Sequence, residues 1–534
     1  MSLVKMDWEK LVLLMLAVSF FVGIGHAFPM FNVISDEMYF VGGVLRAMEN
    51  HTILPAAGDV PYGTLTYFLN YILVAGFLII LLPFFGFSVF NLKMYLVQSP
   101  ELIYFLPRLL SALLALVLLW LFNQMFKKEL ADYRSRLLLL ILLFTNLLVV
   151  SVLHTGKVWV LSIVLSVTSF YFFYQALSQR RSPEFGKKLA NPLFFSIFFA
   201  FLAALNFPIF IFGLINIPIL ILYFWPDKKM VLAIVEYTLF ALGLYIVISL
   251  LNFGGIKTLF INTFTAYRPL DSTVLTDNLS VLSSIWLNTQ KTLAFFAPLI
   301  LFLVLVVKNG IKNKILFFAA TAYFLTYFFT ISVVATWATT FYAYSRYLMP
   351  LGFFLTLLIA SFNFNFRKYF YLIGAVSLVY FSFLLYYLSV PTTFNQAYDF
   401  VQKNINQENV VIINQVWELQ LPKNKPSYLL EKENFCATKC RNTITYDLNP
   451  YFQPLVIDRH TQEDVAISPD ATVYYFENNQ QVNLGLELVA SFENNLTSKT
   501  KEFFSVDSRL ANYFDFDFFR IKNFGSNIYV YRKN

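Results

Sequence analysis

The sequence predicts an all-α membrane protein: a polytopic bundle of about 11 transmembrane helices followed by a C-terminal extracytoplasmic α/β domain. Of its 534 residues, 58% are hydrophobic and 13% are charged, and the mean hydropathy is +0.63. Soluble domains have about 25% charged residues. Uncharged runs near the ~20 residues that cross a bilayer recur along the chain. From residue 391 the hydropathy falls and charged residues are interspersed. The composition therefore excludes a soluble protein.

The apolar runs define the predicted membrane spans. The first run lacks a small-x-small cleavage site and is longer than the apolar core of a secretory signal, so we expect it to be retained. The predicted spans are residues 11–30, 103–125, 137–153, 158–178, 192–206, 207–225, 230–252, 292–307, 315–334, 348–362 and 370–390.

The basic residues orient these spans. They cluster in alternate connections, at 127–136, 180–188, 228–229, 308–314 and 367–368. Because cytoplasmic loops carry an excess of Lys and Arg, we predict a cytoplasmic N-terminus and an extracytoplasmic C-terminal domain in the plasma or inner membrane. The net charge of +8 is spread over these short clusters and not over one face. Nucleic acid is therefore not a predicted partner, whereas membrane lipids are.

A further apolar run, about 62–90, lies in the predicted first outer loop, residues 30–102. A single crossing there would turn every later basic loop outward. We therefore expect a juxtamembrane or re-entrant segment, and Pro83 and Gly86 are consistent with a break in it. A pair of short crossings would also preserve the orientation, so that alternative stays open.

The chain divides into two predicted domains, a transmembrane domain at 1–390 and an extracytoplasmic domain at 391–534. A helix is expected around 395–405. The runs Val410–Ile413, Thr472–Phe476 and Ile528–Tyr531 have the β-branched and aromatic composition of strands. The second domain is therefore predicted to be a small α/β domain.

The two cysteines, Cys436 and Cys440, both fall in this outer domain. An oxidising compartment permits a disulfide between them. Free thiols are the alternative. A structural zinc site requires about four ligands, and no second Cys/His pair with suitable spacing accompanies them, so a metal site is not predicted.

A carboxylate pair, Asp36-Glu37, follows the first span, with Tyr39 close behind. One interpretation is that the pair caps a helix that begins near Met38, since acidic residues are favoured in a first helical turn. The other is that one carboxylate is a general base at the depth of the lipid headgroups. The pair alone does not decide between them.

Three motifs together resemble the GT-C glycosyltransferases, in the polyprenyl-phosphate-sugar branch that includes protein O-mannosyltransferases and lipid A aminoarabinose transferases. They are Ser35-Asp36-Glu37-Met38-Tyr39, Pro61-Tyr62-Gly63, and the start of the next span, Phe105-Leu-Pro-Arg108. The resemblance implies that Asp36 is the catalytic base and Glu37 its neighbour. It also implies transfer of a sugar from a polyprenyl-phosphate carrier to an acceptor protein, lipid or envelope polymer at the outer face, with Tyr39 and Tyr62 in the loop near the acceptor.

The same resemblance suggests residues that bind the donor phosphate. The sequence Arg346-Tyr347-Leu-Met-Pro350 is similar to an Arg-Tyr-Leu-x-Pro signature of the family, whose arginine faces the phosphate. His154 and Lys157 lie in the second outer loop, where family members often carry an acidic residue. Because this loop has no carboxylate, a bridging divalent metal is disfavoured, and no cofactor is firmly predicted.

Another cation is also a candidate, and the cations named above have structural interpretations as well. Arg268 is a further phosphate candidate, whereas Arg108 is attributed to helix orientation. An interfacial Lys157 commonly extends its amine to the headgroups, and a lone His154 is often only structural. Arg346 would equally suit an anchor in an interfacial aromatic belt.

The main alternative function is a lipid or oligosaccharide transporter or flippase. Such proteins commonly carry ionisable residues in mid-span and often have internal repeats. The predicted spans have almost no ionisable residues, and the sequence has no recognisable internal repeat. A membrane anchor for the C-terminal domain would need one span. The sugar, the acceptor and the oligomeric state do not follow from the sequence.

Overall fold

A computed structural model describes most of the chain. The residues that it describes are 8–29, 37–55, 60, 62–179, 190–253, 280–334, 336, 345–363, 370–416, 419, 421–427, 429, 449, 451–458, 467–480, 486–493 and 525–533.

The helices account for most of the described residues. They are α1 (Trp8–Ser19), α2 (Glu37–Glu49), α3 (Thr64–Leu81), α4 (Val89–Gln98), α5 (Glu101–Glu129), α6 (Tyr133–Phe144), α7 (Leu147–Leu153), α8 (Trp159–Gln179), α9 (Ala190–Asn206), α10 (Asn216–Phe224), α11 (Lys228–Phe253), α12 (Val281–Phe295), α13 (Ala297–Val307), α14 (Lys314–Val334), α15 (Met349–Ala360), α16 (Phe370–Ser389) and α17 (Thr393–Phe400). Short 3₁₀ helices occupy Leu82–Phe85, Pro208–Ile215 and Ser345–Leu348.

Five strands follow the helices: β1 (Val410–Asn414), β2 (Leu455–Asp458), β3 (Thr472–Glu477), β4 (Leu486–Phe492) and β5 (Ile528–Lys533). They form one sheet in the order β2-β1-β3-β5-β4. Pairs β1–β2 and β1–β3 are parallel, whereas β3–β5 and β4–β5 are antiparallel. The three predicted strand runs correspond to β1, β3 and β5.

The described chain is divided into two compact units. The first comprises residues 1–22, 60–68 and 108–385; the second comprises 23–59, 69–107 and 386–534. The second unit thus combines the C-terminal region with two segments from the first 107 residues.

The apolar helices are those of an integral membrane protein. Among the described residues, six helices are long and apolar enough to cross a membrane, and up to eight spans result if each bent helix pair is one span. The eleven predicted spans are therefore not confirmed. The runs 137–153 and 292–307 fall in pairs bent by 66° and 89°. The predicted spans 192–206, 207–225 and 348–362 correspond to shorter apolar helices.

The prediction of a helix through 11–30 is wrong in its second half. α1 ends at Ser19, and residues 20–29 form turns. Gly23 and Ala27 have φ values of +75° and +63°, which an α-helix does not permit. A Cβ at Gly23 would lie 2.5 Å from the Leu388 Cβ, so the backbone can approach that side chain only because residue 23 is glycine.

The run 62–90 also differs from the expectation. α3 and the following 3₁₀ turn form a 22-residue segment, Thr64–Phe85, that qualifies as a span by length and composition. The break that Pro83 and Gly86 predicted lies at its end. Gly86 has a φ of +62° and its N–H bonds back to the carbonyls of Leu82 and Pro83, which closes the segment before α4 begins.

The first unit has an aromatic core. Tyr323 and Tyr327 on α14 are fully buried. Tyr323 lies 5.1 Å from Phe170 and Tyr327 lies 4.7 Å from Phe212, measured between ring centroids.

At the C-terminal end of α5, the Glu129 carboxylate accepts hydrogen bonds from the Tyr174 hydroxyl at 2.6 Å and from Asn313 at 2.9 Å. These contacts tie α5 and α8 to the start of α14.

The second unit is built on the sheet. Val411, Ile413, Ile457 and Val473 form its buried core on strands β1, β2 and β3. α17 begins with a capping box, in which the Thr392 hydroxyl accepts from the Asn395 N–H and the Asn395 side chain accepts from the Thr392 N–H. α17 packs against β4 and β5. A helix near 395–405 and a small sheet at the C-terminus are thus present.

Candidate functional site

The predicted catalytic pair is only partly described. Asp36 lies outside the described residues. Glu37 is the first residue of α2 in the second unit, and its side chain is 1% exposed. A carboxylate in a first helical turn lies where the partial positive charge of the helix N-terminus stabilises it. Tyr39 belongs to the same first turn, and its side chain lies outside the described part of the chain.

Arg346 and Tyr347 lie in the 3₁₀ helix Ser345–Leu348 of the first unit. Both side chains are buried, Arg346 being 8% exposed. The Arg346 guanidinium lies 5.3 Å from the centroid of the Tyr347 ring. The Tyr327 hydroxyl donates to the Tyr347 carbonyl at 2.5 Å. This turn leads directly into α15, where Pro350 occupies the first helical turn, a position that needs no N–H donor.

His154 and Lys157 lie in the connection between α7 and α8, and both are buried. Nδ1 of His154 contacts the Val150 carbonyl at 2.8 Å, and Nε2 contacts the carbonyls of Ser19 and Val22 at 3.1 Å each. Backbone carbonyls thus engage both ring nitrogens. Burial lowers the pKa of His154, and the nearby Arg108 charge lowers it further, which outweighs the carbonyl contacts.

These two segments meet in the first unit although they are far apart in sequence. The Trp159 ring, two residues after Lys157, lies 5.2 Å from the Tyr347 ring at an interplanar angle of 70°. α7 packs against the 3₁₀ helix that carries Arg346. The structure therefore brings together the segments from which the sequence predicted donor-phosphate residues. Arg268, the remaining candidate, lies outside the described residues.

Two further buried cations, Arg108 and Lys291, accompany this region, and neither was predicted to bind the phosphate. Arg108 is 0% exposed, and its charge acts on His154. Lys291 is buried on α12, which packs against the Ser345–Leu348 turn. Both could have been noticed as single cations in helical stretches with no other charge nearby, because a charge within a membrane helix is costly and commonly functional.

Tyr62 joins the same region through a row of aromatic rings. Tyr62 is half-buried, and its ring centroid lies 5.4 Å from that of Phe207. Phe207 lies 4.9 Å from Trp159, and Trp159 contacts Tyr347. Rings at these separations have favourable edge and offset contacts. The row therefore links the segment just before α3 to the segments with Lys157 and Arg346.

No group of three or more His, Cys, Asp or Glu side chains is placed to hold a metal ion, among the residues that the structure describes. The cysteines Cys436 and Cys440 lie outside them, so the predicted disulfide stays a prediction.

Comparisons with known proteins add little. No protein-family model matches the chain, and no curated protein sequence matches it. Among solved structures, the chain is similar to the archaeal oligosaccharyltransferase AglB from Archaeoglobus fulgidus, determined in complex with an inhibitory peptide and a dolichol-phosphate. The TM-score is 0.38 and the sequence identity 11%, over 86% of this chain and 65% of the AglB chain. This chain thus spans less than two thirds of AglB, and a TM-score of this size does not establish a common function.

Proposed function

We propose that the protein is an inverting glycosyltransferase that moves a sugar from a polyprenyl-phosphate carrier to an acceptor at the outer face of the membrane. The observation that carries this proposal is the meeting of two segments, 154–159 and 345–348, each with a buried cation, within an apolar helical unit. A phosphate is an anion that such cations attract. The attraction is stronger in apolar surroundings than in water because the effective dielectric constant is lower.

Arg346 and Lys157 are assigned to the donor phosphate. A guanidinium offers parallel N–H donors that match two phosphate oxygens, and an ammonium acts as a point charge. Negative charge accumulates on the phosphate as the bond between the sugar C1 and the phosphate oxygen breaks. Cations already in place stabilise that charge without reorganisation. His154 receives a positioning role, because backbone carbonyls engage its two ring nitrogens.

Asp36 is assigned as the general base, with Glu37 as its neighbour. The acceptor hydroxyl or amine gives its proton to the Asp36 carboxylate while the new bond to C1 forms. The bond from C1 to the phosphate oxygen breaks at the same time, and polyprenyl phosphate leaves. Attack from the opposite face inverts C1 through an oxocarbenium-like state, the electronic demand known from glycoside hydrolysis.

The reaction is tested by sugar transfer from a panel of short-chain polyprenyl-phosphate sugars to membrane acceptors. Asp36→Asn is expected to lower transfer by about 10²- to 10⁴-fold, the usual contribution of a general base. Glu37→Gln, one residue along, is the matched control and is expected to retain more transfer. Equal transfer by the wild type and Asp36→Asn would remove Asp36 from the chemistry.

Donor binding is tested separately with sugar-free polyprenyl phosphate. Arg346→Gln is expected to weaken binding. Arg134→Gln is the matched control. Arg134 lies on α6, and its guanidinium is also close to the ring of a neighbouring tyrosine, 5.7 Å from the Tyr133 centroid. If the wild type neither binds this lipid nor transfers any sugar from the panel, the proposal is refuted. Lipid flux in proteoliposomes would then test the transporter alternative.

A further inference from the structure

Asn206, the last residue of α9, bonds to two other helices at once. Its side chain is fully buried. Oδ1 accepts from the Thr66 N–H at 2.8 Å and from the Thr66 hydroxyl at 3.0 Å. Nδ2 donates to the Val158 carbonyl at 3.1 Å and to the Ser162 hydroxyl at 2.8 Å. One amide therefore makes four hydrogen bonds, two to each partner segment.

Both partners are helix N-terminal turns. Thr66 is the third residue of α3, and its N–H is one of the four that have no partner within a helix. Asn206 supplies the acceptor that a local capping residue would otherwise provide. On the other side, the Val158 carbonyl belongs to the residue before α8. Asn206 thus joins the start of α3, which follows Tyr62, to the start of α8, which follows Lys157.

The next residue strengthens this connection. The Phe207 ring contacts Tyr62 on one side and Trp159 on the other, at 5.4 Å and 4.9 Å. Pro208 follows, and a residue before proline disfavours the helical conformation, so α9 ends here and the pair is held at the helix terminus. The polar and aromatic contacts of Asn206-Phe207 therefore reach the same two segments.

We propose that Asn206 is a positioning residue that sets the separation between the segment just before α3, at Tyr62, and the cationic segment at Lys157 and Arg346. This inference deepens the proposed function: it makes Asn206 determine how an acceptor held by the loop meets the donor phosphate. A displacement of about 1 Å between reacting groups can lower a rate on the order of 10²-fold. Asn206 itself touches neither substrate.

The test compares Asn206→Leu with Asn216→Leu. Asn216 is also fully buried, and its amide donates to the hydroxyls of Ser169 and Ser196 at 3.0 Å and 2.9 Å. Both substitutions remove a buried amide, but Asn216 bonds to neither N-terminal turn. Per folded molecule, Asn206→Leu is expected to lower transfer kcat/KM by roughly 10- to 100-fold and to raise the acceptor KM. Asn216→Leu is expected to leave both near the wild-type values.

A second readout does not depend on catalysis. In a full-length chain with Cys436→Ser and Cys440→Ser, Tyr62→Cys provides a single thiol for maleimide labelling. Asn206→Leu is expected to speed labelling at this position relative to Asn216→Leu, because the start of α3, next to residue 62, loses its hydrogen bonds to Asn206. Equal labelling rates would overturn the positioning role whether or not transfer is observed. Absence of transfer by the wild type would instead refute the proposed function.

Thr66→Val provides the milder variant if Asn206→Leu does not fold. It removes the Thr66 hydroxyl bond to Oδ1 and keeps the backbone bond. Faster labelling at position 62 than in the Tyr62→Cys parent supports the role, and an unchanged rate contradicts it.

Discussion

Removal of the Tyr327 hydroxyl tests whether the turn that carries Arg346 is held in place by α14. Tyr327 is fully buried, and its hydroxyl donates to the Tyr347 carbonyl at 2.5 Å. Tyr327→Phe keeps the ring and removes this bond. Hydrogen bonds between membrane helices are worth about 0.6 kcal/mol on average and up to about 1.7 kcal/mol. If this bond holds the turn in the position that binds the phosphate, the lost hydrogen-bond energy appears as weaker lipid binding. The affinity for polyprenyl phosphate then decreases roughly 3- to 16-fold, at 1.4 kcal/mol per factor of ten.

The control is the same substitution one helical turn earlier. Tyr323 is on α14, is also fully buried, and its hydroxyl lies 3.3 Å from the Ser169 hydroxyl. This distance exceeds the usual 2.5–3.0 Å of an O–H···O bond, so little energy is expected from it. Tyr323→Phe is therefore expected to leave the affinity unchanged. Thermal unfolding in detergent and titration with sugar-free polyprenyl phosphate measure the two effects separately.

Two results would refute this reasoning. If Tyr327→Phe and Tyr323→Phe lower the unfolding temperature equally and leave lipid affinity at the wild-type value, the bond to Tyr347 does not hold a phosphate site. If Tyr323→Phe weakens binding as much as Tyr327→Phe, the effect is a general loosening of α14. Absence of lipid binding by the wild type would refute the proposed function and leave the stability comparison valid.

Three further predictions concern other parts of the chain. Burial lowers the pKa of His154 below its usual 6.5. The contribution of this group to stability is therefore complete above about pH 6.5 and is lost as the pH falls through the lowered value. Over this pH range the unfolding temperature should fall less steeply for His154→Gln than for the wild type. Glu129→Gln weakens the hydrogen bonds that Tyr174 and Asn313 donate to the Glu129 carboxylate, and a bond to a charged group is worth about 1.5–3 kcal/mol. It should lower the unfolding temperature clearly more than Glu49→Gln, because the ion pair of Glu49 with Lys93 is exposed. Peptide mapping without reduction should find Cys436 linked to Cys440, and separately alkylated thiols would contradict it.

The local composition of the sequence was sufficient to predict many single elements. The apolar runs at 103–125 and 315–334 lie within α5 and α14, and the run 158–178 lies within α8 except for its first residue. An uncharged run of this length is stable as a helix because its backbone bonds are internal. The strands β1, β3 and β5 follow from β-branched and aromatic runs for a comparable reason. The charge pattern, however, does not determine whether an apolar run is straight. The bends of 66° and 89° leave the number of spans undetermined by hydropathy.

In the candidate site, too, the sequence suggested single residues, whereas the tertiary structure decided which segments meet. The sequence suggested Arg346 and Lys157 as phosphate-binding candidates, through the resemblance to the family and, for Arg346, because an arginine at the edge of a span is costly unless paired. It could not predict that the two segments meet, because that depends on the contact between Trp159 and Tyr347. It also gave no reason to select Asn206, an ordinary amide at the end of an apolar helix. The significance of that amide comes from bonds to Thr66 and Val158, and only the tertiary structure brings those partners within hydrogen-bonding distance.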